Sequence, residues 1–424
     1  MINWRSNYAF ALYRDTESRW SEARLILGSF LIILLVGTLF LVQPSSHNGE
    51  VTFINALFTA TSAISVTGLG VVDTGTAFTL QGQIILLMLM EIGGLGQMTM
   101  TLLLIAMFSK RVGLRQQVLA KEALGQEGSV NIIQLVKRIV LFALIAQLIG
   151  TAIMAIRWVP EMGWGHGLYV SFFHAVSAFN NAGFSLFANN LIDYRDDPFI
   201  SLTIPALLIL GGLGFTVIVD LVRNRRWRKL KLHSKLMLLM TPGLLLLGTL
   251  MFWLLEHNNP ATFGNAGPGG QLLAAFFQSA TARTAGFNTV DIGQMVPASL
   301  LFMMMLMFIG AGATSTGGGI KVTTFAVVLL ATRAFLTKRP HVTAFGRTLS
   351  PQIVTRSLAI IIVSTMVLML AMFLLMLTES QPFDKIMFET VSAFATVGLS
   401  TGITASLSEP GKLILVLVMI CGRL

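Results

Sequence analysis

The sequence predicts an all-α polytopic membrane protein made of four covalently linked helix–loop–helix repeats. Three observations lead to this prediction. The 424 residues are 54% hydrophobic and only 11% charged, whereas soluble globular proteins carry about 25% charged residues. Several apolar runs have the roughly 20 residues that an α-helix needs to cross a bilayer. A motif rich in glycine and small polar residues recurs four times in the chain.

Eight apolar spans are predicted, at residues 25–42, 84–108, 139–156, 199–222, 236–255, 300–334 (interrupted), 358–377 and 413–424. Most Lys and Arg residues lie in segments 1–24, 109–138, 223–235 and 333–356, which precede the first span and follow every second span. Under the positive-inside rule these segments are cytoplasmic, as is the N-terminus. The net charge of +10 therefore indicates membrane topology and contact with lipid headgroups, not nucleic acid binding.

The connections inside the four pairs of spans align without gaps on one glycine each. They read FTATSAISVTGLG, FHAVSAFNNAGFS, FQSATARTAGFN and FETVSAFATVGLS, with Phe at position −10 from the glycine in all four. The aligned glycines are Gly68, Gly183, Gly286 and Gly398. A second glycine motif follows each of them in the next span, at Gly93, Gly211, Gly310 and Gly422. Each unit is therefore predicted as a helix, a short re-entrant helix ending in a glycine loop, and a second helix.

The repeated loops are predicted to surround one central ion path. Irregular backbone at membrane depth is tolerated where it lines a water-filled cavity, and rings of main-chain oxygens replace a cation's hydration shell. One such motif alone is better explained by close helix packing, but four in register favour pore loops. The predicted filter residues are Thr67, Gly68, Asn181, Ala182, Gly183, Thr284, Ala285, Gly286, Thr396, Val397 and Gly398.

The sixth span is interrupted by GAGATSTGGGIK, a run too rich in glycine to hold a continuous helix. It lacks the Gly-Lys-Ser/Thr ending of a phosphate-binding loop. Arg423 lies near the middle of the last span, where a charge is costly and usually functional; packing against carbonyls is the alternative. Glu91 lies at a similar depth, and either pairs with Arg423 or Lys321 or remains near the ion path. Arg283 is expected to brace the filter by hydrogen bonds, and His174 and Glu389 to be structural.

These motifs resemble the Trk/Ktr/HKT superfamily of potassium transporters over nearly the whole chain, and Ktr-type membrane subunits most closely. The resemblance implies potassium uptake at the filter carbonyls, often sodium-dependent, in a homodimer in the bacterial cytoplasmic membrane. It also implies a cytoplasmic ring of regulatory subunits of the RCK/KTN (KtrA-like) type that carry the nucleotide. Glycine at position 68, where some HKT members have serine and favour sodium, favours potassium.

In the Ktr family the intramembrane loop of the sixth span acts as a gate, and the resemblance gives this role to residues 310–319. An arginine at the position of Arg423 lies near the pore, beneath the filter. The predicted gate residues are Gly310, Gly312, Thr314, Ser315, Thr316, Gly317, Gly318, Gly319, Lys321 and Arg423.

The predicted organisation is a cytoplasmic segment, 1–24, followed by repeats at 25–112, 113–230, 231–335 and 336–424. The last span stops two residues after Gly422, so the sequence is expected to end inside a truncated helix. No enzyme motif is present, and the six His residues have no ligand spacing. A sodium-coupled carrier of another small solute or cation remains the alternative function, although carriers often use inverted repeats and these repeats are parallel.

Overall fold

A computed structural model of the chain describes Arg24 and residues 27–49, 51–96, 132–313 and 315–424. Thr314 of the predicted gate lies outside the described residues. Residues 97–108 of the second predicted span and most of the basic segments 1–24 and 109–138 also lie outside them.

Each repeat consists of a leading helix, a short pore helix and a following helix, as the sequence predicts. The leading helices span Leu27–Leu41, Ile132–Met162, Leu232–Glu256 and Pro351–Thr378. The pore helices span Phe53–Ile64, Trp164–Phe179, Pro268–Thr281 and Phe383–Phe394. The following helices span Leu80–Gly94, Pro198–Gly212 with Phe215–Arg223, Pro297–Phe308 with Val322–Leu336, and Glu409–Arg423.

The following helices begin at residues whose side chains cap the first turn. Thr79, Asp197 and Ser408 each accept a hydrogen bond from a main-chain N–H of the first turn. Such caps satisfy donors that have no partner within the helix. The second and fourth following helices also carry proline in the first turn, where its missing N–H costs nothing. The N-terminal ends of three following helices are therefore defined locally by the sequence.

Among the described helices, three are long and apolar enough to cross a membrane alone, namely Val136–Met162, Leu232–Glu256 and Pro351–Thr378. The fourth predicted span, 199–222, was expected to be continuous, and this is wrong. It breaks into Pro198–Gly212 and Phe215–Arg223, which meet at 87°. The break lies at Gly214, whose φ of 92° is accessible to glycine at little cost. The first predicted span and the described part of the second correspond to shorter apolar helices, and the sixth to two such helices around a loop, as predicted. The last corresponds to Glu409–Arg423.

The pore helices interlock the four repeats through buried phenylalanines. Phe173 of the second repeat packs into the core of the first, and Phe277 of the third packs into the core of the second. Phe58 of the first repeat lies in the core built by the third and fourth. Phe388 lies in that same core. Because each pore helix contributes to a neighbour's core, the repeats close into a ring, and this positions the four glycine loops.

The segment before the fourth leading helix contains a small antiparallel hairpin, Thr343–Ala344 paired with Arg347–Thr348. Phe345 at its tip contacts Trp227 edge to face, with ring centroids 6.2 Å apart. Lys235 lies over the same phenylalanine ring at 5.9 Å. The hairpin is thus joined to the basic segment 223–235.

Candidate functional site

Each pore helix ends in a loop in which two residues have positive φ angles. The aligned glycines Gly68, Gly183, Gly286 and Gly398 have φ of 92°, 70°, 77° and 91°. The residues two positions earlier have φ of 58°, 59°, 67° and 48°, and are Val66, Asn181, Thr284 and Thr396. The four loops, here called the filter loops, therefore share one main-chain conformation.

The first filter loop has Val66 at the position that Asn181, Thr284 and Thr396 occupy in the other three, and Val66 was not among the predicted filter residues. Thr67 corresponds to the residue that precedes the glycine, as Ala182 does in the second loop. Because a β-branched residue rarely adopts a positive φ angle, the conformation of Val66 could not be predicted from the sequence. Its main chain is held because Thr67 N donates to Ser62 O at 2.8 Å, a bond that closes the end of the pore helix.

The four aligned glycines form a closed ring of main-chain contacts. A Cβ atom on Gly286 would lie 2.6 Å from Val397 O and 3.3 Å from Gly398 Cα, which leaves no room for a side chain. A Cβ atom on each of the other three glycines would likewise meet the main chain of the next filter loop. Gly68 faces Ala182 and Gly183, Gly183 faces Ala285 and Gly286, and Gly398 faces Thr67 and Gly68. The structure therefore brings the four glycines together with Thr67, Ala182, Ala285 and Val397 in one ring.

Serines at position −6 hold two of the filter glycines. Ser62 Oγ accepts from Gly68 N at 3.0 Å, and Ser392 Oγ accepts from Gly398 N at 3.1 Å. In the second repeat, Ser177 Oγ is buried and has no partner among the described residues. The third repeat has Ala280 at this position. The ring is thus pseudo-symmetric in its main chain but not in the side chains that support it.

Polar residues at position −9 fasten the segment that leaves the filter in two repeats. Glu389 accepts from Thr401 N at 3.1 Å and from Thr404 Oγ1 at 2.9 Å, and it also accepts from Ser400 Oγ. His174 Nε2 lies 3.0 Å from Ser185 Oγ. Both side chains support the loop from behind, which agrees with the structural role expected for them.

The second glycine motif allows the following helices to touch the ends of the pore helices. A Cβ atom on Gly93 would overlap Ile64 O, and one on Gly211 would overlap Phe179 O. Gly422 has the same relation to Phe394 O. The third repeat departs from this pattern, because Gly310 instead faces Gly318 O. In these three repeats the spacing of the two glycine motifs therefore reflects direct contact between the following helix and the end of the pore helix.

A cavity of about 500 Å³ opens on one side of the ring. The four filter glycines line it, together with Asp73 and Asp291. Both carboxylates also cap short helices, since Asp73 accepts from Gly75 N and Asp291 from Gly293 N. The cavity thus combines a main-chain ring with two acidic side chains, an arrangement that attracts cations.

The interruption in the sixth span forms a loop, residues 310–319, against the opposite side of the ring. Thr316 Oγ1 donates to Asn181 Oδ1 at 3.0 Å. Cβ atoms on Gly317 and Gly318 would overlap the hydroxyls of Thr284 and Thr396. The loop therefore contacts the residue two positions before the glycine in three of the four filter loops.

Main-chain hydrogen bonds close the 310–319 loop at its base and tie it to the second following helix. Gly310 N donates to Ile320 O at 2.9 Å, which closes the loop at its base. Gly312 N donates to Gly212 O at 2.9 Å, at the break in the second following helix. The break in that helix leaves Gly212 O free to accept this bond. A continuous helix would have used the same carbonyl internally.

Two positively charged side chains, Arg423 and Lys321, donate hydrogen bonds to main-chain oxygens of the 310–319 loop. Arg423 Nη1 donates to Thr316 O at 2.6 Å, and Arg423 Nη2 donates to Gly93 O. Lys321 Nζ donates to Gly317 O at 2.8 Å. The predicted gate residues that the structure describes thus lie together beneath the ring. The bond to Gly93, which lies in another repeat, could not be read from the sequence.

Glu91 pairs with neither Lys321 nor Arg423 among the described ion pairs, so the possibility of an ion pair with either of them was wrong. Its carboxylate accepts from Asn180 Nδ2 at 2.6 Å and from Gln147 Nε2 at 2.9 Å. Asn180 ends the second pore helix. Glu91 therefore joins the first following helix to the second filter loop through neutral amides.

Comparison with known proteins identifies the family. The model of the TrkH family, described as cation transport proteins, matches residues 9–424. The chain belongs to the TrkH family. It is 58% identical over 412 residues to the Ktr system potassium uptake protein B of Vibrio alginolyticus, covering 96% of this chain and 90% of that protein. It is 44% identical over 416 residues to the protein of the same name from Bacillus subtilis, covering 97% and 94%.

A further relative of this TrkH-family chain is the potassium/sodium uptake protein NtpJ of Enterococcus hirae, 39% identical over 416 residues, covering 97% of this chain and 92% of that protein. The crystal structure of the potassium transporter TrkH from Vibrio parahaemolyticus superposes with a TM-score of 0.72 at 19% identity. It covers 93% of this chain and 82% of that one. This structural match supports the fold, and the predicted family resemblance is confirmed.

Proposed function

We propose that this chain takes up potassium ions through the ring of filter loops. Main-chain oxygens of residues 67–68, 181–183, 284–286 and 396–398 replace the hydration shell of the ion. The observation that supports this most strongly is the closed ring of contacts between the four glycines and the main chain of the neighbouring filter loops. Relatives named as potassium uptake proteins support the choice of cation.

Two threonine hydroxyls extend the proposed path towards the 310–319 loop. Thr284 Oγ1 and Thr396 Oγ1 are buried and have no partner among the described residues. Buried hydroxyls are almost always hydrogen-bonded, so a cation or its water is a suitable partner. These oxygens become available on the cytoplasmic side of the ring when the loop moves.

The 310–319 loop is the proposed gate, and its present position blocks the path below the filter. It contacts three filter loops and is fastened by Arg423 and Lys321. Opening requires these main-chain acceptors to be released, after which the glycines let the loop adopt another conformation. The positive charges of Arg423 and Lys321 also repel a cation while the loop is closed.

The finer features of this function follow from the family resemblance. Uptake is coupled to sodium, which the name of the relative NtpJ supports. The chain forms a homodimer in the bacterial cytoplasmic membrane with its N-terminus inside. A nucleotide-binding ring docks on the cytoplasmic face, where the hairpin and the basic segment 223–235 form one surface.

Uptake in a bacterial strain without its own potassium uptake systems tests the proposal. The chain should restore growth at low external potassium, and Gly68→Ser should reduce the preference for potassium over sodium. Gly243→Ser is the matched control, because a Cβ atom on Gly243 meets nothing within 4 Å. Equal loss of selectivity in both variants, or uptake of another solute in place of potassium, would refute the filter.

The regulatory partner is tested separately by reversing exposed charges. Co-expression of a candidate ring subunit should increase sodium-dependent potassium uptake by the wild-type chain. Arg225→Glu with Arg226→Glu should remove this increase and leave basal uptake unchanged, because both residues are exposed and distant in sequence from the filter. An increase that persists in this variant would contradict docking on segment 223–235.

A further inference from the structure

Arg283 lies immediately before Thr284 in the third filter loop, with 8% of its surface exposed. The expectation that it braces the filter by hydrogen bonds is not met. Its Nε has no partner among the described residues, and the ion pairs found there involve other arginines. A guanidinium stays protonated and has donors only, and a buried charge without a partner is unfavourable. Arg283 therefore needs an acceptor that these protein groups do not provide.

The hydroxyl of Thr241, in the third leading helix, is also buried without a hydrogen-bond partner among the described residues. Thr241 is 4% exposed. Other threonines in apolar helices of this chain donate to the carbonyl one turn earlier, as Thr365 does to Ile361 O at 2.9 Å. Because Thr241 does not use this common bond, its hydroxyl is free to serve another partner.

Both residues line the same small cavity. Its walls also include Ala280, Leu208 and Leu245. The volume open to water is about 10 Å³, which is close to the minimum that holds one ordered water. Ala280 occupies the position at which the other repeats have serine. The third repeat thus has a small cavity, lined by the polar side chains of Arg283 and Thr241, next to the alanine that replaces this serine.

We infer that this cavity is a binding site for one water molecule, held between Arg283 and Thr241. The water accepts from the guanidinium and can also donate to the threonine hydroxyl. A cation is excluded because the guanidinium repels it. The occupant holds Arg283 in place behind the third filter loop, so Arg283 is a positioning residue that does not itself contact the transported ion.

The site also joins the filter to the 310–319 loop. Ala311 and Gly212 line the cavity, and Gly212 O accepts from Gly312 N at 2.9 Å. On its other side, Arg283 is adjacent to Thr284, whose hydroxyl faces Gly317. Movement of the loop therefore changes the cavity wall. This coupling rests on the proposed function, whereas the presence of the occupant does not.

A structure of the full chain crystallised with bromide in place of chloride tests the occupant directly. Density between Arg283 and Thr241 is expected. Density without an anomalous signal identifies water, whereas an anomalous peak identifies a halide and overturns the assignment. An empty cavity, or an Arg283 guanidinium that binds a protein carbonyl or carboxylate, overturns the inference whether or not the chain transports potassium.

A double-mutant cycle tests the shared occupant. Arg283→Met and Thr241→Val should each reduce the maximal potassium uptake rate by about two- to tenfold, with the pair no worse than Arg283→Met alone, since coupled residues are non-additive. Thr365→Val is the matched control, because its hydroxyl bonds within its own helix, and its effect should simply add. Arg283→Lys should recover part of the rate. Additive losses for Thr241→Val and Arg283→Met would overturn the shared site.

Discussion

The guanidinium of Arg423 donates a hydrogen bond of 2.6 Å to the main-chain oxygen of Thr316. Its second nitrogen donates to Gly93 O. The fourth repeat thereby ties the loop of the third repeat to the following helix of the first. Arginine suits this position because its planar group has five donors. Arg423 is therefore one of two positively charged side chains that bind main-chain oxygens of the 310–319 loop, the other being Lys321.

Replacing Arg423 with glutamine should open the proposed gate. Hydrogen bonds to charged groups contribute about 1.5–3 kcal/mol each. Because 1.4 kcal/mol corresponds to a factor of ten, the population with a displaced loop should rise about tenfold or more. Potassium flux into proteoliposomes without any regulatory subunit should increase accordingly.

Arg157→Gln is the control for the arginine prediction, since Arg157 pairs with Glu161 in its own helix and with Asp197, which caps the second following helix. It should leave the flux unchanged. Flux that is unchanged or reduced in Arg423→Gln, in correctly folded protein, would show that the arginine does not hold the path closed.

The serines at position −6 provide a matched pair. Ser392→Ala removes the acceptor of Gly398 N, a bond with a net contribution of about 0.5–1.5 kcal/mol. Competition uptake should therefore show a few-fold loss of potassium preference over sodium. Ser177→Ala should have little effect, because Ser177 Oγ has no described partner. Equal effects of the two substitutions would mean that the serine bond does not shape the filter.

Methyl groups on the second glycine motif should displace the pore helices. Gly211→Ala places a Cβ atom against Phe179 O, and overpacking of this kind costs about 1–3 kcal/mol. The variant should unfold at a lower temperature and transport more slowly. Gly243→Ala is expected to be neutral or stabilising, because its Cβ meets open space and alanine favours helices. A Gly211→Ala variant as stable as Gly243→Ala would contradict the close contact.

Glu389→Gln should loosen the segment that follows the fourth filter glycine. The carboxylate accepts from Thr401 N and Thr404 Oγ1, and an amide nitrogen would face at least one of these donors. The expected loss of stability is about 1–3 kcal/mol, measured by thermal unfolding in detergent together with potassium uptake. Asp384→Asn, at an exposed site in the first turn of the same helix, should change neither.

Much of the filter was predictable because it depends on local backbone chemistry. The aligned glycines Gly68, Gly183, Gly286 and Gly398 mark positive φ angles that other residues adopt only at a cost. Val66 was missed because valine rarely adopts a positive φ angle, and only tertiary contacts hold it in this conformation. The break at Gly214 was missed because a glycine within an apolar run is also compatible with a continuous helix.

The sequence by itself determined the all-α membrane class, the four repeats and the register of the glycine motifs, because hydrophobicity, charge distribution and glycine spacing are local properties. Only the tertiary structure decided which groups meet across repeats. Arg423 reaches Thr316 and Gly93, Glu91 binds Asn180 and Gln147, and Arg283 shares a cavity with Thr241. These contacts join residues far apart in the chain, and their partners depend on how the four repeats close into a ring.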